Sequence, residues 1–250
     1  MSDKIATIGN IVHHFAVTSK SFACSALDNI IAMSLYDPKP IEYVAGSNSR
    51  ILVFIHGLHG HPINHRRIVD KLNASETTKD YVKVCVDLRA VTSDIEWECA
   101  ELQKQIECFR DCEIILIGFS KGGLIAMYYA THVVDERIKG IITVSSPLNG
   151  TETANLIPAY FTINRELSSG SALTEKIKKL WLAKKHLIPL YHIVPTWDHL
   201  IMPTSVAKYD FTAPDKIYHY TGLQGHIGIQ DEPVIADVIK KWIEEIYQSS

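Results

Sequence analysis

The stretch Glu113-Ile-Ile-Leu-Ile-Gly-Phe-Ser120-Lys-Gly-Gly-Leu-Ile-Ala-Met-Tyr-Tyr-Ala130 is the one around which the rest of the chain is organised. Its run of Ile and Leu before Gly118 predicts a buried strand, and the apolar segment after Ser120 predicts a helix. Between them, Gly-Phe-Ser-Lys-Gly follows the pattern G-x-S-x-G. The stretch therefore predicts a strand, a sharp turn with Ser120 at its tip, and a helix.

A serine at such a turn needs backbone angles that most residues avoid. Side chains two positions before and after it would collide with the strand or the helix, and Gly118 and Gly122 occupy those positions. The turn would raise the Ser120 hydroxyl above the sheet and direct the backbone N–H of Lys121 towards a site for an oxyanion. Either Ser120 is a nucleophile, or the glycines only allow a helix to pack closely on a sheet. Partner residues further along the chain must decide.

The composition predicts one well-packed domain. The chain has 250 residues, of which 46% are hydrophobic and 21% charged, and its formal net charge is −3. This balance offers no basic surface for nucleic acid and no polybasic membrane anchor, so we expect at most transient contact with a membrane surface. The first residues do not resemble a signal peptide, and no apolar run approaches the ~18 residues of a membrane span. We expect a cytoplasmic protein, with non-classical export and the oligomeric state left open.

The cysteines predict free thiols and no metal site. Their number is odd, they are scattered, and several fall in predicted strands or helices, which suits a reducing compartment. The closest pair is separated by three residues, which is not the spacing of a zinc pair, and there is no second pair. The five are Cys24, Cys85, Cys99, Cys108 and Cys112.

Apolar runs that alternate with amphipathic segments predict the fold class α/β. The run Arg50-Ile-Leu-Val-Phe-Ile is continuously apolar, which is typical of a strand covered on both faces. We predict a doubly wound, mostly parallel sheet flanked by helices, whose active groups collect at the carboxyl ends of the strands. One domain is expected over residues 41–250, with the N-terminal segment 1–40 packed on its core. Residues 148–186, long and mostly polar, predict a small cap-like insertion.

Two residues downstream of Ser120 are suited to activate it. A serine hydroxyl is a weak nucleophile until an imidazole takes its proton, and the imidazole needs a carboxylate to fix its tautomer. In the order typical of a G-x-S-x-G turn, the acid follows the serine and the histidine comes last. Asp198 and His226 meet this order, each in a loop after a predicted strand. The alternative candidates are Asp210, Asp215, His192, His199 and His219.

The loop after the early strand reads His56-Gly-Leu-His-Gly60 and is placed to supply a second oxyanion donor. We predict the backbone N–H of Leu58 for this role, beside that of Lys121. His56 is expected to brace the loop through a hydrogen bond. The cluster His59, His61 and His65 raises the idea of a metal site, but it lacks a matching set of carboxylates, so a solvated loop is favoured.

These motifs, taken together, resemble the α/β-hydrolase superfamily, and in style its bacterial lipases and lipase-like serine esterases. The resemblance covers about residues 50–246. The segment Ser145-Ser-Pro-Leu-Asn-Gly-Thr151 is similar to the S-P-H-x-G-T segment of lipases, which lies near their active site. It departs from that pattern because Leu148 replaces the usual histidine. Phe119 and Lys121 also differ from the usual neighbours of the serine.

The resemblance implies an ester hydrolase that acts through an acyl-enzyme, with Ser120, Asp198 and His226 as the catalytic residues. It implies no cofactor and a small-molecule ester or lipid as substrate. Two alternatives stay open: a thioesterase or acyl-protein deacylase, and a catalytically silent α/β-hydrolase fold that binds a ligand or partner. The residues predicted to contact the substrate are His56, Gly57, Phe119, Leu148, Leu156 and Tyr160.

Overall fold

A computed structural model describes residues 41–43, 49–88, 94–156, 162–184 and 188–248. The predicted N-terminal segment, residues 1–40, lies outside this part of the chain. Tyr160, predicted to contact the substrate, also lies outside the described residues.

The described residues form a seven-stranded sheet. Its strands are β1 (Ile41–Tyr43), β2 (Arg50–Ile55), β3 (Val82–Val86), β4 (Glu113–Phe119), β5 (Ile138–Val144), β6 (Leu190–Pro195) and β7 (Ile217–Tyr220). They lie in the order β1-β3-β2-β4-β5-β6-β7. Only β1 runs antiparallel to its neighbour, and the remaining pairs are parallel. The predicted mostly parallel sheet is thus confirmed.

Helices follow most of the strands. They are α1 (Arg66–Asn73), α2 (Ile95–Ile106), α3 (Lys121–His132), α4 (Thr162–Leu167), α5 (Ala172–Lys184), α6 (Gly225–Gly228) and α7 (Pro233–Gln248). Short 3-10 helices lie at Pro62–His65, Glu152–Leu156, Thr204–Ala207, Pro214–Lys216 and Ile229–Asp231. None of the helices in the described part of the chain combines the length and apolar character needed to cross a bilayer.

Two helix starts differ from what the sequence pattern predicts. A capping box at Ser93 is expected to open the second helix. Instead Asp94 is the N-cap of α2, and its carboxylate accepts the backbone N–H of Trp97 at 2.9 Å. A carboxylate is favoured there because it also interacts with the positive end of the helix dipole. The sequence of residues 62–72 predicts one helix that starts at Pro62, but Pro62–His65 form a 3-10 turn that precedes α1.

The sheet is covered on both faces, which explains the continuous hydrophobicity of its strands. In β2, Ile51, Val53 and Ile55 face the core shared with α2, α3 and α5. Leu52 and Phe54 face the opposite core, which includes residues of α1 and α7. All five side chains are fully buried. This alternation fixes the layers and leaves the carboxyl ends of the strands to build a site.

Part of the segment between β5 and β6 belongs to the main core. Helix α5, which was predicted as part of the insertion 148–186, packs on α3 and buries Ile177 and Trp181 in the main core. It is therefore the crossover helix of a parallel β-α-β unit. The described residues of this segment that lie beside the carboxyl ends of the strands fall within 148–156 and 162–171.

Candidate active site

Ser120 lies at the tight turn between β4 and α3. Its backbone has φ 54° and ψ −127°, which L residues rarely adopt and which costs about 1–3 kcal/mol. A Cβ on Gly118 would lie 2.5 Å from the backbone of Gly122. One on Gly122 would lie 2.1 Å from the carbonyl oxygen of Ile55. Both glycines are needed for this turn, as the sequence pattern predicts.

Replacing Gly122 by alanine is expected to lower the free energy of unfolding by about 3 kcal/mol, because the new methyl group meets backbone that cannot move aside. The comparison variant is Gly170→Ala. Gly170 has φ 67° and no atom within 4 Å of an added Cβ, so only its backbone angle opposes the change, at about 1 kcal/mol. Urea unfolding of both variants measures the difference. Equal losses would show that crowding at Gly122 is unimportant.

Asp198 and His226 converge on Ser120 from the carboxyl ends of β6 and β7. The Nε2 atom of His226 lies 2.8 Å from Ser120 Oγ, and its Nδ1 atom lies 2.7 Å from Asp198 Oδ2. A loop was predicted at His226, but the residue lies in the one-turn helix α6. Gly225 opens that helix with φ 67°. The three residues form a continuous hydrogen-bonded chain.

The Asp198 carboxylate is buried, and both of its oxygens accept hydrogen bonds from the protein. Its Oδ1 atom accepts the backbone N–H groups of Leu200 and Ile201, both at 2.8 Å. Its Oδ2 atom accepts His226 Nδ1–H and the hydroxyl of Ser145. Burial alone would raise the pKa of Asp198, but the adjacent imidazole and these donors outweigh it and lower the pKa below its usual value. The carboxylate is therefore ionised at neutral pH.

The rival acids lie away from this chain of hydrogen bonds. Asp210 is on the surface, where it pairs with Lys208 at 3.2 Å. Asp215 is exposed in a 3-10 turn.

The rival histidines in β6 and β7 also have other environments. His192 is fully buried between the hydroxyls of Thr143, at 2.8 Å, and Thr212, at 3.0 Å. Burial lowers the pKa of His192 to about 3, so it stays neutral. His219 is exposed on β7. His199, next to the acid, lines the cavity described below.

The loop after β2 lies directly against Ser120. A Cβ on Gly57 would lie 2.7 Å from Ser120 Cβ and 3.1 Å from its Oγ, so only glycine allows this approach. The His56 ring is buried and bonded at both nitrogens: Nδ1–H donates to the Gly57 carbonyl at 2.8 Å, and Nε2 accepts the N–H of Leu88 at 3.1 Å. Burial lowers the pKa of His56. A neutral ring with both nitrogens engaged supports the loop that carries Leu58.

The histidines of this loop do not assemble a metal site. His61 caps the following 3-10 helix, and His65 is buried beside the rings of Phe54 and Phe119. Burial lowers the pKa of His65 to about 3. Across the described ranges, no group of three or more His, Cys, Asp or Glu is arranged to hold a metal ion.

A cavity of about 700 Å³ opens above Ser120. Its apolar wall includes Leu58, Phe119, Val144, Leu167, Ile201 and Ile229. Four of the residues predicted to contact substrate line it: His56, Gly57, Phe119 and Leu156. Leu148 does not: its side chain is fully buried in the main core.

The described residues that line the cavity include no Asp, Glu, Lys or Arg. Polar atoms come from Ser120, His226, and side chains such as Asn64, Thr153 and Gln230. A charged ligand group would lose its hydration there without gaining a partner of opposite charge. The cavity therefore suits an apolar, uncharged group.

Two residues near Ser120 have side-chain contacts that the sequence pattern did not predict. The Lys121 ammonium is fully buried and pairs with Glu98 at 2.9 Å and with Glu166 at 3.0 Å. Glu166 also accepts the backbone N–H of Ile95 at 2.8 Å. The second residue is Ser145, already noted beside Asp198. The only local signals were a lysine opening an otherwise apolar helix and a serine just past an apolar strand.

Comparisons with known proteins agree with this architecture. A family profile described as the alpha/beta hydrolase fold matches residues 50–164. Among solved structures, the Paleococcus ferrophilus monoacylglycerol lipase is 16% identical with a TM-score of 0.60, over 86% of this chain and 100% of that one. MenH from S. aureus is 17% identical with a TM-score of 0.59, over 84% of this chain and 100% of that one. Bacillus licheniformis lipase BlEst2 is 13% identical with a TM-score of 0.57, over 82% of this chain and 98% of that one. Comparison with curated protein sequences found no match.

The chain has the α/β-hydrolase fold. This confirms the fold that its motifs indicate. Relatives of such low identity establish the fold, whereas the chemistry has to be argued from the site itself.

Proposed function

We propose that this protein hydrolyses carboxylic esters with an uncharged acyl group, through an acyl-enzyme formed on Ser120. The observation that carries the proposal is the chain of hydrogen bonds from Ser120 through His226 to Asp198, at 2.8 and 2.7 Å, at the base of an apolar cavity. A serine, an imidazole and a buried carboxylate in this order form the arrangement that activates a hydroxyl for acyl transfer.

In the proposed mechanism, the proton on His226 Nδ1 faces Asp198, so Nε2 is available to accept the hydroxyl proton of Ser120. Oγ attacks the carbonyl carbon, and the carbonyl oxygen becomes an oxyanion held by the backbone N–H groups of Leu58 and Lys121. The imidazolium then gives its proton to the departing alcohol as the ester bond breaks. Water, activated by the same imidazole, cleaves the acyl-enzyme and releases the carboxylic acid.

The acyl group is expected to occupy the apolar wall of the cavity. Phe119 is almost entirely buried beside the serine, whereas Leu156 is 85% exposed at the mouth. An acyl chain that covers such surface gains about 0.8 kcal/mol for each CH₂ group removed from water. Thioesters would undergo the same chemistry, so oxygen and sulfur esters with the same acyl group have to be compared directly.

The test is covalent labelling by a fluorophosphonate probe, followed by turnover of p-nitrophenyl esters of increasing chain length and of matched thioesters. We expect the wild type to be labelled and to prefer medium or longer acyl chains. Ser120→Ala is expected neither to react with the probe nor to turn over substrate. Ser75→Ala, which changes an exposed hydroxyl bonded to Thr77, serves as the matched control and should behave as wild type.

A wild type that neither labels nor hydrolyses any ester or thioester would contradict the proposal and favour a ligand-binding role. Labelling that persists in Ser120→Ala would place the nucleophile elsewhere.

A further inference from the structure

We infer that Ser145 is a positioning residue that fixes the Asp198 carboxylate against His226. The inference rests on the function proposed above. Ser145 directly follows β5, and its backbone N–H donates to the Ile193 carbonyl of β6 at 2.9 Å. Its hydroxyl donates to Asp198 Oδ2, and its Oγ lies 3.1 Å from His226 Nδ1. Oγ, Oδ2 and Nδ1 thus form a closed triangle.

The backbone at Ser145 is strained. Its φ is 50°, in the left-handed region that favours glycine, and the residue is almost completely buried. Glycine would satisfy this angle without strain, but it could not supply the hydroxyl. Strained residues that persist in a fold cluster at functional sites. The backbone strain and the triangle of contacts are two independent observations that indicate a functional role for the Ser145 side chain.

The hydroxyl completes the coordination of the carboxylate. Two backbone N–H groups, those of Leu200 and Ile201, hold Oδ1. The Ser145 hydroxyl donates to Oδ2, the oxygen that also accepts His226 Nδ1–H, and so opposes rotation of the carboxylate about its Cβ–Cγ bond. Because a donor on Oδ2 also draws negative charge from it, the attraction for the imidazolium form of His226 is moderated.

Other titratable groups face the pair from the surrounding elements, and all remain in the variants proposed below. His56 and His59 lie in the loop after β2, and His199 lies beside the acid. Lys121, with its partners Glu98 and Glu166, lies behind Ser120 at the start of α3. A shift in pH dependence on changing Ser145 is therefore assigned to the lost hydroxyl.

The test compares Ser145→Ala with Ser145→Gly. Without the hydroxyl, the charge on Oδ2 favours protonated His226, which cannot accept the proton of Ser120. The acidic limb of the kcat/KM profile is therefore expected to move up by about half a pH unit, and kcat/KM to fall about tenfold. Both variants should show this, although Ser145→Gly relieves the backbone strain and should have the higher Tm.

The control variant is Ser146→Ala, whose hydroxyl lies against the backbone carbonyls of Gly118 and Val144 and not against the acid. Its pH profile should match that of the wild type. A merely structural role for Ser145 predicts that Ser145→Gly keeps the wild-type rate and acidic limb, and that result would overturn the inference.

A second measurement keeps this inference separate from the proposed activity. NMR titration of the His226 ring, assigned with a His226→Gln variant, needs no substrate. In Ser145→Ala its midpoint should move to higher pH, and an unchanged midpoint would remove the role of Ser145. If the wild type lacks esterase activity, the proposed function fails while the titration still decides the contact.

Discussion

Asp198→Asn is expected to keep the fold and to lose about 10⁴-fold in kcat for ester hydrolysis. The amide oxygen should remain on the side of the Leu200 and Ile201 N–H groups, which require an acceptor. The NH₂ group then faces His226 Nδ1, where the carboxylate had accepted a hydrogen bond. The imidazole must shift its proton to Nε2, and it can no longer take the proton of Ser120. Steady-state kinetics beside a thermal unfolding curve measure both effects.

The matched control is Asp210→Asn, an exposed carboxylate that pairs with Lys208. Its kcat should equal that of the wild type. If Asp198→Asn stays folded and within about tenfold of wild-type kcat, another group must orient the histidine, and the assignment of the acid is wrong.

The fold and the elements that carry the site could be predicted because their signals are local. The strand before Gly118 is continuously apolar, and the glycines around Ser120 are spaced as a tight turn demands. Strands of a parallel sheet bring their carboxyl ends together. Chain order alone therefore suggested that Asp198 and His226 would approach Ser120.

The remaining features depend on contacts between distant segments, which a single sequence does not encode visibly. Lys121 directly follows Ser120, but its partners Glu98 and Glu166 lie 23 and 45 positions away in the sequence. Similarly, Ser145 meets Asp198 only because β5 and β6 are neighbours in the sheet. Leu148 was predicted at the substrate because a lipase motif places a residue there, whereas its apolar side chain enters the core.

Lys121→Met is expected to lower the free energy of unfolding by about 3–5 kcal/mol at pH 7. The change is nearly isosteric, yet it leaves the carboxylates of Glu98 and Glu166 buried without their counter-ion. Three elements meet at this ammonium: α3 behind the nucleophile, α2, and the short helix α4 of the insertion. Urea unfolding at pH 7 measures the loss.

Two further variants separate charge burial from side-chain size. Lys79→Met removes a lysine from a surface pair with Glu76 and is expected to leave stability unchanged within error, because such pairs contribute little. The triple variant Lys121→Met, Glu98→Gln, Glu166→Gln removes all three charges and should recover at least half of the lost stability. A triple variant no more stable than Lys121→Met would show that the lysine acts through packing. Recovery would instead mean that Lys121 stabilises the fold mainly by neutralising the buried carboxylates of Glu98 and Glu166.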